Sequence, residues 1–220
     1  MTAASWREVV SERRALYSPI GLRLVDDFTG NAPLGRVSAQ LDRRVALGVW
    51  APTDLQAVLT PSSTFTWPGL GRVQQPASAP TRRYRARIAT ERYRPDYLRT
   101  SDGIEFDAPP WDDDNAPQPI TTFPVDVHLF PAPAYEFPTW VRVLRGSVQD
   151  ASGAPVSNAS VSQAALEHVL SDERGTFALP LRWAINGQVV DAIDARTGRS
   201  GAHVLNLPAD LQSSVTITIV

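Results

Sequence analysis

Arg82, Arg83, Arg85, Arg87, Arg92, Arg94 and Arg99 crowd one stretch of the chain, interleaved with Tyr84, Tyr93 and Tyr97. Arg83, Arg85 and Arg87 alternate with Tyr84, Ala86 and Ile88. A strand with that pattern puts three guanidiniums on one face. Guanidinium with phenol is the palette of single-strand nucleic-acid platforms, and equally of protein interface hot spots. Just downstream, Asp102, Glu105, Asp107, Asp112, Asp113, Asp114 and Asn115 crowd a Pro-rich stretch that reads as a loop. With opposite charges so close and a formal net charge of −2, pairing within the chain or between subunits is expected rather than nucleic-acid binding. Arg83, Tyr84, Arg85, Arg87, Arg92 and Arg94 are therefore read as a protein interface. Trp111, together with Trp50 and Trp67, is read as adding loop-borne aromatic contacts to it.

The acidic stretch reads as a solvated loop, with Ca²⁺ at Asp112, Asp113 and Asp114 as the alternative, since hard oxygen ligands at that density suit the ion. Asp112 to Asn115 are consecutive, and the glycine and terminal Glu of an EF-hand loop are missing. A carboxylate pair such as Asp107 and Asp112 could do glycosidase work, but no spacing supports it. His128, His168 and His203 are the three histidines, and no two stand at metal-binding spacing. The chain has no cysteine, no Gly-x-Ser-x-Gly elbow and no phosphate-binding glycine loop. Gly69-Leu70-Gly71 after Trp67-Pro68 reads as a turn. No catalytic residue, metal or cofactor is expected.

These residues need elements to hold them. Hydrophobic residues make up 43% of the 220, enough for a packed core. The 19 prolines argue against long helices. Short alternating runs separated by Pro, Gly, Asn, Asp and Ser clusters predict antiparallel β-sandwiches. Strands are expected in residues 21–26, 35–41, 55–60, 64–67, 82–88 and 125–130, then 141–149, 160–163, 176–181, 188–193 and 215–220. His128, between Val127 and Leu129, is expected to face solvent or an interface. The predicted fold is all-β: two antiparallel sandwiches of immunoglobulin-like or prealbumin-like form behind a short N-terminal helix. The expected organisation is a helical arm over residues 1–17, a sandwich over 18–132, a Pro-rich linker over 133–140 and a second sandwich over 141–220. Tyr135, Phe137 and Trp140 are expected to pack that linker down.

Two turn signatures sharpen the second sandwich. Asp150-Ala151-Ser152-Gly153-Ala154-Pro155-Val156 precedes Ala159-Ser160-Val161. Asp172-Glu173-Arg174-Gly175-Thr176-Phe177-Ala178-Leu179 follows. In each, the Asp accepts backbone hydrogen bonds and the Gly takes positive φ. In this order they resemble the carboxypeptidase-regulatory-like (transthyretin-like) domain, over roughly 80 residues; beyond Trp183 the likeness weakens. Residues 25–34 echo the pattern, Asp27-Phe28-Thr29-Gly30 standing before Ala32-Pro33. That echo is either a repeat or the common language of β-turns. The resemblance implies a stabilising, spacing or protein-binding module.

The function expected is a non-catalytic structural or adaptor subunit mediating protein–protein assembly, in a bacterial or phage particle of the tail or contractile-injection type. Its partners would be further copies or other subunits. An accessory module binding carbohydrate or a cell surface is the alternative. All 21 basic residues are arginine, as codon bias in a GC-rich genome would give. The first residues lack a signal-peptide pattern and no run is long enough to span a membrane, so cytoplasmic synthesis is expected.

Overall fold

A computed structural model describes residues 17–96, 102–114, 124–164 and 166–220. Among them the fold is all-β. Nine strands form a first half: β1 (Gly21–Asp26), β2 (Val37–Ala46), β3 (Val49–Pro52), β4 (Val58–Leu59), β5 (Thr64–Thr66), β6 (Arg82–Thr90), β7 (Tyr93–Pro95), β8 (Ile104–Ala108) and β9 (Val125–Pro131). Seven form a second: β10 (Val143–Asp150), β11 (Ser160–Gln163), β12 (Glu167–Leu170), β13 (Thr176–Pro180), β14 (Val189–Asp194), β15 (Arg199–Val204) and β16 (Val215–Ile219). The arm expected over residues 1–17 lies, apart from Tyr17, outside the described residues. No helix among them is long and apolar enough to cross a membrane.

Sheet order shows that the two halves repeat one topology. The first half has sheets β4-β5-β1-β9-β7 and β3-β2-β6-β8; the second has β13-β10-β16 and β12-β11-β14-β15. Without the edge strands β4 and β7, each strand of the first half has one counterpart in the second. In both, the opening strand pairs antiparallel on one side (β1 with β5, β10 with β13). On its other side it pairs parallel with the half's last strand (β1 with β9, β10 with β16). The remaining sheets consist of antiparallel pairs in matching order.

Period-2 alternation builds each core. β1 buries Leu22 and Leu24, while β16 buries Val215, Ile217 and Ile219 and exposes the threonines between them. One core gathers Leu22, Leu41, Trp67, Tyr84, Phe106 and Leu129. The other gathers Leu144, Val148, Val161, Phe177, Leu179 and Ile217. Each fully buried aliphatic contributes about 1.5–3 kcal/mol. Gly146 lets Phe177 seat, because a Cβ there would stand 2.6 Å from the ring and 2.6 Å from the Val215 carbonyl.

The turns hold as their residues dictate. Asp150 accepts from the Ser152 and Ala154 amides at 2.9 and 3.0 Å, and Asp172 from those of Arg174 and Thr176 at 2.9 and 2.8 Å. The echo in the first half is placed differently. Asp26, not Asp27, accepts from the Phe28 amide, and the Gly30 amide bonds the Asp26 carbonyl four residues back. That loop is one residue longer than those at Asp150 and Asp172. It matches Asp194, which accepts from the Arg196 amide while Gly198 bonds back to the Asp194 carbonyl.

Several expectations change. Residues 104–108, read as part of an acidic loop, form β8, since Ile104, Phe106 and Ala108 alternate inward against β6. Strands β3, β7, β12 and β15 join the expected set. Tyr135 packs down, its hydroxyl donating to buried Asp26 at 3.0 Å, and Phe137 stacks edge-on to Phe28 at 5.3 Å. Trp140, expected to pack with them, is 73% exposed.

Side chains bridge the halves. The Arg182 guanidinium lies 4.4 Å over the Phe28 ring, donates to the Phe28 carbonyl and pairs with Glu167. Arg94 reaches Glu173 and Asn158. Phe130 packs on the His168 ring at 4.3 Å.

Candidate functional site

The arginine strand is β6, and it has the two-faced character its sequence predicts. Tyr84, Ala86 and Ile88 are buried; Arg83, Arg85 and Arg87 form the outer row. Register sets Asp42 of β2 opposite Arg85, and Glu105 and Asp107 of β8 opposite Arg85 and Arg83. Cross-strand neighbours of opposite charge attract. Arg83 donates to Glu105 at 3.0 Å and to Asp107 at 3.3 Å. Arg85 and Arg87 both donate to Asp42, at 2.8 Å each. Arg85 also lies 4.7 Å over the Trp50 ring. The result is a lattice of fixed charges across the outer face of one sheet.

Asp42 is its centre, with a side chain only 2% exposed. Burial works to raise its pKa, but hydrogen bonds from Arg87 and Arg85 and their charges outweigh it, so the carboxyl titrates below its ordinary range. Glu105, through its hydrogen bond, holds the Arg83 guanidinium more firmly protonated. Arg92 pairs with Glu136 at 3.0 Å. The five interface arginines expected from sequence are thus each paired inside the chain. Tyr84 is in the core, and Arg94 ties the halves together rather than lying on the β6 face.

Trp111 is the clear correction. It is 2% exposed, its indole donates to the Leu70 carbonyl at 2.9 Å, and its ring meets Tyr17 edge-on at 5.8 Å. Trp67 is equally buried, and only Trp50 lies on the outer lattice. Asp113 pairs with Arg72, and no three carboxylate or imidazole groups among the described residues converge on a metal-sized site. Asn115 lies outside the described residues.

The histidines stand apart. His128 pairs with Asp27 at 3.0 Å, and His203 with Asp210 at 2.7 Å. His168 Nε2 lies 2.8 Å from Ser160 Oγ, a nucleophile–base spacing that sequence reading missed because the two meet across the β11–β12 ladder. Among the described residues no carboxylate hydrogen-bonds the other ring nitrogen, so the orienting third member of a triad is missing. Burial lowers the His168 pKa, keeping the ring neutral; the nearby Asp96 and Asp27 charges oppose this less strongly.

Sequence reading also missed the outer face of β12-β11-β14-β15. Val189 and Ile193 of β14 and Val204 of β15 are exposed, with Val189 directly opposite Val204. The loop before β14 adds exposed Ile185 and Trp183, the latter 71% exposed. The signal was present: residues 189–193 are apolar on both rows except at Asp191.

No family model matches the chain, and no curated protein matches it significantly. Among solved structures, the shaft pilin SpaA from Lactobacillus rhamnosus GG aligns at TM-score 0.33 and 11% identity, over 93% of this chain and 98% of that one. The Bacillus anthracis TIE protein aligns at 0.29 and 10%, over 91% of this chain and 32% of that one, so this chain spans about a third of its length. A Streptococcal ancillary pilin aligns at 0.25 and 10%, over 91% and 67%. Similarity this distant carries no inference about activity.

Proposed function

We propose that this chain is a non-catalytic structural subunit of two tandem β-sandwich units that assembles with other protein subunits. The observation that carries the reading is the exposed row Val189, Ile193 and Val204, with Trp183 and Ile185 beside it. Exposed aliphatic residues around Asp191, next to exposed tryptophan, are what a protein interface presents before it is covered. The arginine lattice on the equivalent sheet of the first half is neutralised from within, which favours a flat polar contact over nucleic-acid binding. Tandem units of one topology suit an elongated bacterial or phage particle, of the tail or contractile-injection type. The two Asp turns of residues 141–220 support a carboxypeptidase-regulatory-like second unit within it.

The test is size-exclusion chromatography with light scattering on protein isolated from its source. A mass above the 24.0 kDa chain, lost in the Ile193→Lys/Val204→Lys double variant, is expected. A particle of chain mass unaffected by those changes contradicts the proposal. Glycan binding by such a monomer, abolished by Trp183→Ala, would favour a carbohydrate-binding module instead.

A further inference from the structure

Among the described residues, one end of the first half is hollow. A cavity of about 260 Å³ opens there between the segment after β5 and the start of β6, walled by Leu55, Trp67, Leu70, Tyr84 and Pro110. The topologically equivalent end of the second half is closed. There the segment after β13 and the residue after β15 place Leu181, Ala184 and Leu205 in the core, each no more than 1% exposed. Among the described residues, one architecture therefore carries a plugged end and an open one. The volume equals that of about nine waters at ~30 Å³ each, the space of a ligand of about ten heavy atoms. It lies near the lower bound of ~300 Å³ for small-molecule sites, and its lining is mostly apolar with a few polar groups, as in such sites.

The polar groups at this cavity are chiefly donors. Arg82 opens β6 in step with Tyr84, Ala86 and Ile88, but it is exposed at the strand's end, where it lines the mouth. Each of the other β6 arginines has a carboxylate partner; among the described residues Arg82 has no ion pair. Arg72, also at the rim, is already paired with Asp113. In the wall, the buried Trp67 indole N–H has no acceptor among the described residues. A guanidinium with no ion-pair partner among the described residues, at the mouth of an apolar floor, suits a ligand with an apolar body and an anionic head.

We infer that this cavity binds a small aryl or alkyl carboxylate, its apolar body against Trp67 and Tyr84 and its carboxylate on Arg82. The site is independent of the assembly face, which lies on the other half. The experiment titrates the full chain with 3-phenylpropionate and, separately, with its uncharged amide, following the indole N–H resonance of Trp67 and tryptophan fluorescence. Saturable change with the acid, at least tenfold weaker with the amide, is expected. Arg82→Gln should weaken acid binding about tenfold, the loss of one charge-assisted hydrogen bond. Arg36→Gln, an exposed arginine remote from the cavity, should leave it unchanged. Acid and amide binding equally, acid binding undiminished in Arg82→Gln, or no saturable change with the acid up to 10 mM (~10 mM being the reach of a contact worth under 3 kcal/mol) would overturn the inference. Thermal melting of both variants shows that each is folded when it is titrated.

Discussion

The two halves share strand order, pairing sense and parallel closure by their last strand, yet they use their surfaces in opposite ways. On the four-stranded sheet of the first half, the outer rows carry Asp42, Arg83, Arg85, Arg87, Glu105 and Asp107, locked to one another. On the matching sheet of the second half, the outer rows carry exposed Val189, Ile193, Ala202 and Val204, with Asp191 and Ser200 among them. Sheet topology is set by the inward rows, which are apolar in both halves. The outward rows are free to differ, and here they diverge into a self-satisfied charge lattice and a face that suits a partner.

The turns extend the contrast, and changing them should give the largest effect. Gly175 has φ +73° and a Cβ there would stand 2.5 Å from the Val148 carbonyl; Gly30 has φ +72° with nothing within 4 Å. Gly175→Ala should therefore cost about 3 kcal/mol, left-handed strain plus a backbone clash. Gly30→Ala should cost only the strain, about 1–2 kcal/mol. Urea denaturation of the two variants measures the gap, and equal losses would mean that the turns are equivalent after all.

The charge lattice comes next. Asp42→Ala leaves Arg85 and Arg87 without their shared carboxylate. A fully buried broken pair costs about 3–5 kcal/mol, but both guanidiniums can swing toward water, so about 2 kcal/mol is expected. Ser162→Ala, on the outer row of β11 in the second half, should change stability by less than about 0.5 kcal/mol. A small effect at Asp42 would show that the lattice decorates the sheet without holding it.

The junction should respond to pH. His168 is neutral and packed on Phe130, with its pKa lowered mainly by burial. The unfolded chain takes up that proton near the ordinary value of ~6.5 while the folded chain resists it. Stability from this group is thus complete above ~6.5 and declines as pH falls below it, by at most ~1.4 kcal/mol per unit. Asp42 works in another window: its depressed pKa keeps its contribution intact until pH falls below the ordinary carboxylate range. Denaturation midpoints at pH 7.5 and 5.5 should drop in the wild type and stay nearly level in His168→Gln. An equal drop in both would remove His168 from the account.

The smallest effect on stability is expected at Trp183. Because it is 71% exposed, Trp183→Ala should change the unfolding free energy by less than about 0.5 kcal/mol while weakening assembly. A large loss of stability would place this residue in the fold rather than at a partner.

What sequence could say depended on how local each feature is. The Asp150 and Asp172 turns were legible because acceptor, donors and glycine all lie within a few residues. The inward and outward rows of β6 were legible from alternation alone. The partner of Arg85 and Arg87 was not, because Asp42 arrives through the β2–β6 ladder from a distant part of the chain. Asp26 and Asp27 are neighbours with the same chemistry. Only the Tyr93 and Tyr135 hydroxyls, which close on Asp26, select it as the buried member. Ile104, Phe106 and Ala108 alternated as a strand should, but the acids between them masked the signal. Trp111 and Trp140 sit in similar Pro-rich contexts, and only tertiary neighbours decide that one is buried and the other exposed. The repeated topology was invisible because it resides in long-range pairing.

The exposed face of the second half is proposed to be covered by another protein subunit. Hydroxyl-radical footprinting tests it most directly, comparing protein in its native source with the purified chain at low concentration. Trp183, Ile193 and Val204 should be protected in the native material and oxidised in the purified chain, with Trp50 on the arginine lattice less changed. Equal oxidation of Trp183, Ile193 and Val204 in both would contradict the claim.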